Sequence, residues 1–115
     1  MENSVWKIYL LLLFCYLCPS LLYSQITITQ FNASWNSSND VEWLNKLSDV
    51  DKIKYIDIAE NTKAQQKHEI VVVPTIVIYK DGEEVKRLQA DISFAIKATR
   101  EELQDYIDEL LMEDF

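Results

Sequence analysis

The sequence predicts one α/β domain with a βαβαββα order of elements and a mixed four-stranded sheet at its centre. Three features carry that expectation. Short runs rich in β-branched residues alternate with helical patterns, an Asp81-Gly82 pair separates two strand-like runs, and the C-terminal segment repeats apolar residues at helical spacing. At 115 residues and 49% hydrophobic composition, the chain can bury one small core and is too short for two. The formal net charge of −8, with 19 acidic residues against 11 basic, argues against nucleic-acid binding, which needs clustered cations to neutralise phosphates.

In order, Ile26 to Phe31 (ITITQF) has the period-two alternation of a strand, and a polar loop follows from Asn32 to Asn39. Asn39, with Glu42 three residues on, predicts a helix N-terminus. Val41, Trp43, Leu44 and Leu47 would then form a short apolar face ending near Ser48. Lys52 to Ile58 reads as a second strand and Thr62 to Ile70 as a short helix. Thr75 to Lys80 (TIVIYK) is almost continuously apolar, which predicts a strand covered on both faces. Asp81-Gly82 then turns the chain into a hairpin partner, Glu83 to Gln89. Between this hairpin and the last helix, Ile92, Phe94 and Ile96 occupy alternate positions; the segment is either an extra edge strand or lid covering the core, or an exposed apolar patch for a partner. Thr99 and Glu102 form a capping box for the last helix, whose stripe is Leu103, Tyr106, Ile107, Leu110 and Leu111.

Residues 1–24 are set apart as a signal peptide, leaving 25–115 as the folded domain. Lys7 precedes an unbroken apolar run from Ile8 to Cys18, and Ser20 and Ser24 are alternative small residues for cleavage. The run is shorter than the ~20 residues of a membrane span, but Leu21 to Tyr23 extend it enough that an uncleaved anchor is the competing reading. An exported, periplasmic or secreted location follows, with membrane contact only through this segment if it is retained. Both cysteines, Cys15 and Cys18, lie inside it. Their C-x-x-C spacing is a decoy, because an apolar leader offers nothing to stabilise a thiolate. The remaining chain has no cysteine, hence no disulfide and no thiolate chemistry of its own. His68, the single histidine, lacks neighbouring ligands in sequence and reads as an exposed helix residue, so no metal or cofactor is expected.

Taken together, the Gln30-to-Trp35 run (QFNASW) closing onto a helix start, Val71 to Thr75 (VVVPT) opening an apolar strand, and the Lys80-Asp81-Gly82 turn resemble the thioredoxin family across the mature chain, without that family's usual first strand and helix. The resemblance implies a thioredoxin-like fold and aligns Trp35 with the tryptophan of the family's Trp-Cys-x-x-Cys. Asn36 falls at the attacking cysteine, Ser37 and Ser38 at the intervening positions, and Asn39 at the resolving cysteine. Gln30 falls where the family has a buried aspartate, Tyr55 where it has a lysine beside that acid, and Ala90 where it has a glycine at the substrate groove. Val73-Pro74 matches its cis-proline. The resemblance implies a cis bond facing the site loop, with the residue before the proline pairing with extended substrate; alternatively Pro74 only shapes the start of a strand.

Disulfide exchange proceeds by attack of a thiolate on sulfur, which a carboxamide cannot perform. The expectation is therefore a non-catalytic protein that binds a peptide or partner protein through Trp35, Ser37, Ser38, Val73, Pro74 and Phe94. Two alternatives stand beside it: a thiol-transfer enzyme using a serine or a partner-supplied cysteine, and a structural subunit of an envelope complex. Asn32-Ala33-Ser34 and Asn36-Ser37-Ser38 match the glycosylation acceptor pattern, which matters only in a eukaryotic secretory pathway.

Overall fold

A computed structural model describes residues 24–113, so the expected signal peptide and both cysteines lie outside the described residues. The elements are β1 (Ile26–Asn32), β2 (Lys52–Asp57), α1 (Thr62–Lys67), β3 (Thr75–Lys80), β4 (Glu83–Gln89) and α2 (Arg100–Met112), with two 3-10 segments, Ser34–Asn39 and Leu44–Lys46, between β1 and β2. The sheet order is β2-β1-β3-β4. β1 runs parallel to β2 and antiparallel to β3, and β3 and β4 form an antiparallel hairpin, so the sheet is mixed as expected.

Alternation along the strands sorts the core onto two faces. Ile26 and Ile28 of β1 and Ile76 and Ile78 of β3 pack with Val41, Leu44 and the buried stripe of α2, Leu103, Ile107 and Leu110. On the opposite face, Phe31 and Val77 pack with Ala33, Ile58, Ile70 and Val73. Thr75 through Ile78 are all buried, because β3 has side chains in both clusters. The capping box holds in its first half: the Glu102 N–H donates to Thr99 Oγ1 at 3.2 Å, which supplies one of the bonds missing at a helix start.

The helix expected from Asn39 to Ser48 is not formed. Asp40 is extended (φ −56°, ψ 141°) and Leu47 likewise (φ −73°, ψ 141°), leaving only the single 3-10 turn Leu44–Lys46 between them. The cause is side-chain competition for the backbone. Gln30 Oε1 accepts the Val41 N–H at 2.7 Å, and Asp40 turns its carboxylate toward Gln30 and Asn32 instead of capping a helix. Val41 and Leu44 still reach the core, as their spacing required.

α1 is also shorter than expected, and its end shows why. The Ile70 N–H donates to Gln65 O and the Glu69 N–H to Gln66 O. This is the paired closure of a Schellman motif, with Glu69 in the left-handed region at φ 52° where glycine is usual. At the start of α1, Asn61 caps the Ala64 N–H at 3.1 Å. In the hairpin, Asp81 and Gly82 both have positive φ, 53° and 86°, the geometry that suits a two-residue connection. The segment after β4 is not an edge strand. Ile92 is 98% exposed, Phe94 is 45% exposed and only Ile96 packs on the core, so the expected alternation divides among three environments.

Candidate functional site

The site lies at the C-terminal end of β1, where Asn32 leads into the 3-10 segment carrying Trp35 to Asn39. Asn36 is 4% exposed and sits at a kink in that segment (φ −113°, ψ 18°). Its Nδ2 donates to Asn32 Oδ1 at 3.1 Å and to the Phe94 carbonyl at 3.2 Å, and lies 3.5 Å from the Val73 carbonyl. Its Oδ1 accepts from Asn39 Nδ2 at 2.8 Å. Asn32 Nδ2 in turn donates to the Asn36 carbonyl at 3.1 Å and to Asp40 Oδ1 at 2.6 Å, and Gln30 Nε2 reaches the same carboxylate oxygen at 3.0 Å.

The result is a closed network of four carboxamides and one carboxylate. Among the described residues no buried side-chain nitrogen or oxygen lacks a partner, so the cost of burying Gln30, Asn32 and Asn36 is offset bond by bond. The sequence reading identified Asn36 and Asn39 by what they replace. It missed Asn32, which bonds Asn36, and Asp40, which bonds Asn32 and Gln30; the available signal was the density of amides in Asn32 to Asp40. Asn32 and Asn36 are both buried and committed to this network, so neither acceptor pattern presents its asparagine on the folded surface.

Around this hub the other expected residues divide. Trp35 is 66% exposed and meets Phe94 edge to face, ring centroids 5.5 Å apart. Ser37 and Ser38 are exposed beside them. Val73 and Pro74 are not surface residues: their side chains are buried, and they form the wall behind Asn36. The Val73-Pro74 peptide is cis, and the Ala90 N–H donates to Pro74 O at 3.1 Å. Gln30, at the buried acid's position, is itself buried, and Tyr55 opposite it in the β1–β2 register is exposed. A cavity of about 320 Å³ opens behind the loop between Gln30, Asn32, Ser37, Asp40, Tyr55 and Asp57.

Phe94 is held by its own loop. Ser93 donates both its N–H and its hydroxyl to Asp91 Oδ1, which lowers the Asp91 pKa; the Phe94 N–H bonds Asp91 O at 3.0 Å, and Phe94 adopts φ 59°.

His68 is not the exposed helix residue expected. It caps the C-terminus of α1, packs 5.0 Å from the Phe31 ring, and pairs Nδ1 with the Tyr79 hydroxyl at 3.3 Å. Among the described residues no group of three or more His, Cys, Asp or Glu side chains could hold a metal, and no helix is long and apolar enough to cross a membrane.

No protein-family profile and no curated protein matches the chain by sequence. Solved structures do match its shape. A mutant thioredoxin from Halobacterium salinarum superposes with a TM-score of 0.58 at 24% identity, covering 74% of each chain. The fold is thioredoxin-like. A thioredoxin from Nicotiana alata aligns over 92% of this chain and 84% of its own with a TM-score of 0.55 at 21% identity. One from Fasciola hepatica is 28% identical over 74% of this chain and 80% of its own, with a TM-score of 0.51. Within this thioredoxin-like frame, the loop after β1 is a kinked 3-10 segment tied down by amides.

Proposed function

We propose that this chain is an exported, redox-inactive thioredoxin-like protein of the cell envelope that works by contact, holding an extended polypeptide or partner protein at the Trp35 surface. The observation that carries this reading is the state of Asn36. At the position of an attacking sulfur the chain places a buried carboxamide whose donors and acceptor are all engaged, and no cysteine stands among residues 24–113. Such a group has no proton to lose near neutral pH and no sulfur to exchange. What remains outward is the Trp35–Phe94 pair with Ser37 and Ser38, a combination of rigid aromatic area and hydroxyls suited to recognition. Export rests on the apolar run from Ile8 to Cys18.

The test has two parts. Purified chain, supplied with a dithiol donor and a disulfide-bonded protein substrate, is expected to leave the disulfides at the uncatalysed rate. Turnover above that rate rejects the inactive reading. A photo-crosslinking residue in place of Trp35 in intact cells is expected to give one discrete protein adduct, and absence of any adduct rejects the contact role.

A further inference from the structure

Away from the amide hub, on the sheet face that carries Phe31 and Val77, the structure has a second cavity of about 310 Å³. Its walls include Thr27 and Thr29 of β1, Lys54 of β2, Lys67 and His68 at the end of α1, and Tyr79 of β3, and no carboxylate lines it. In a chain with 19 acids and 11 bases, this concentration of donors runs against the overall charge. We propose that this cavity binds a small organic phosphate monoester, its phosphate toward Lys54 and Lys67 and its body on the aromatic floor.

The geometry supports a prepared site. His68 is fixed from three sides: Nδ1 pairs with the Tyr79 hydroxyl at 3.3 Å, its ring rests 5.0 Å from Phe31, and Arg87 donates to its carbonyl at 2.9 Å. Arg87 is itself held by Glu84 at 2.8 Å, which neutralises it and leaves the lysines as the cations at the cavity wall. Two ammonium groups, Lys54 on β2 and Lys67 at the end of α1, with the Thr27 and Thr29 hydroxyls of β1 can satisfy several oxygens of one dianion. The cavity has the volume of a small-ligand pocket, larger than inorganic phosphate alone requires. Ile56 and Tyr79, both only partly buried, provide apolar surface for the organic part. The groups around His68 are Lys67 on its own helix, Lys54 from β2, and Arg87 and Glu84 from β4; burial first, then Lys67, Arg87 and Lys54, lower its pKa, with Glu84 opposing. A bound dianion would add to the Glu84 effect.

The probe is phenyl phosphate, titrated into the full chain while the His68 ring protons are followed by NMR. Saturable binding is expected, with a rise in the His68 titration midpoint on saturation. Lys54→Gln combined with Lys67→Gln, both at exposed positions, is expected to weaken binding about tenfold or more. No saturable change at His68, or an affinity unaltered in the double variant, overturns the proposal. Equal affinity for phenol overturns the anion requirement, and equal affinity for inorganic phosphate overturns the organic one.

Discussion

Asn36 shows how one side chain can hold a loop that has lost its helix. Its carboxamide joins β1 through Asn32, the wall through Val73, and the segment after β4 through the Phe94 carbonyl. Asn36→Ala removes those donors and the acceptor used by Asn39, leaving buried groups unpaired at a cost of about 1–3 kcal/mol. The expected outcome is a lower urea midpoint together with faster amide exchange around Phe94, and an unchanged midpoint would show that the network is not stabilising. His68 gives a prediction in pH. Burial, then Lys67 and Arg87, hold its folded pKa below the ordinary 6.5, so between the folded value and 6.5 the unfolded chain binds more protons. Its contribution to stability is therefore present above about pH 6.5 and is lost as pH falls through the folded pKa. Melting temperature measured from pH 8 down to 5 should decline over that window, and His68→Gln should flatten the decline.

Among the elements, legibility followed the range of the deciding forces. The hairpin strands Thr75–Lys80 and Glu83–Gln89 have the boundaries their sequence implies, because alternation and the Asp81-Gly82 turn are local signals. The stripe and cap of α2 were likewise visible. The loop from Ser34 to Lys46 was not, because its conformation depends on Gln30, a residue in the preceding strand, taking the Val41 N–H. Helix propensity and spacing cannot register that competition. The candidate site was visible in the sequence through Trp35, Asn36 and Asn39, whereas the hydrogen bonding of Asn36 depends on Phe94, 58 positions away in sequence. The Schellman end of α1 carries a strain that one substitution can remove. Glu69 has φ 52°, a conformation costing an L-residue about 1–2 kcal/mol that glycine avoids. Glu69→Gly should keep the Glu69 N–H bond to Gln66 O and the Arg87 bond to the Glu69 carbonyl at 3.1 Å and raise stability by up to about 1 kcal/mol, read as a higher urea midpoint; a fall would show that the Glu69 side chain matters more than its backbone.

For the molecule as a whole, β1 and β3 are the common wall between two clusters, one built with α2 and the other with Ile58, Ile70 and Val73. The amide hub closes one end of this wall, and the cavity at His68 opens on one side of it, so the two candidate sites share a scaffold while drawing on different side chains. The outer strands are another matter. β2 presents Lys52 and Lys54, and β4 presents Glu83, Glu84 and Lys86, while the Tyr106 hydroxyl of α2 donates to the Val85 carbonyl at 3.1 Å. A copy adding itself to either margin would have to strip water from ammonium and carboxylate groups, and on the β4 side displace a tyrosine as well. Both rims of the sheet therefore oppose edge-to-edge self-association.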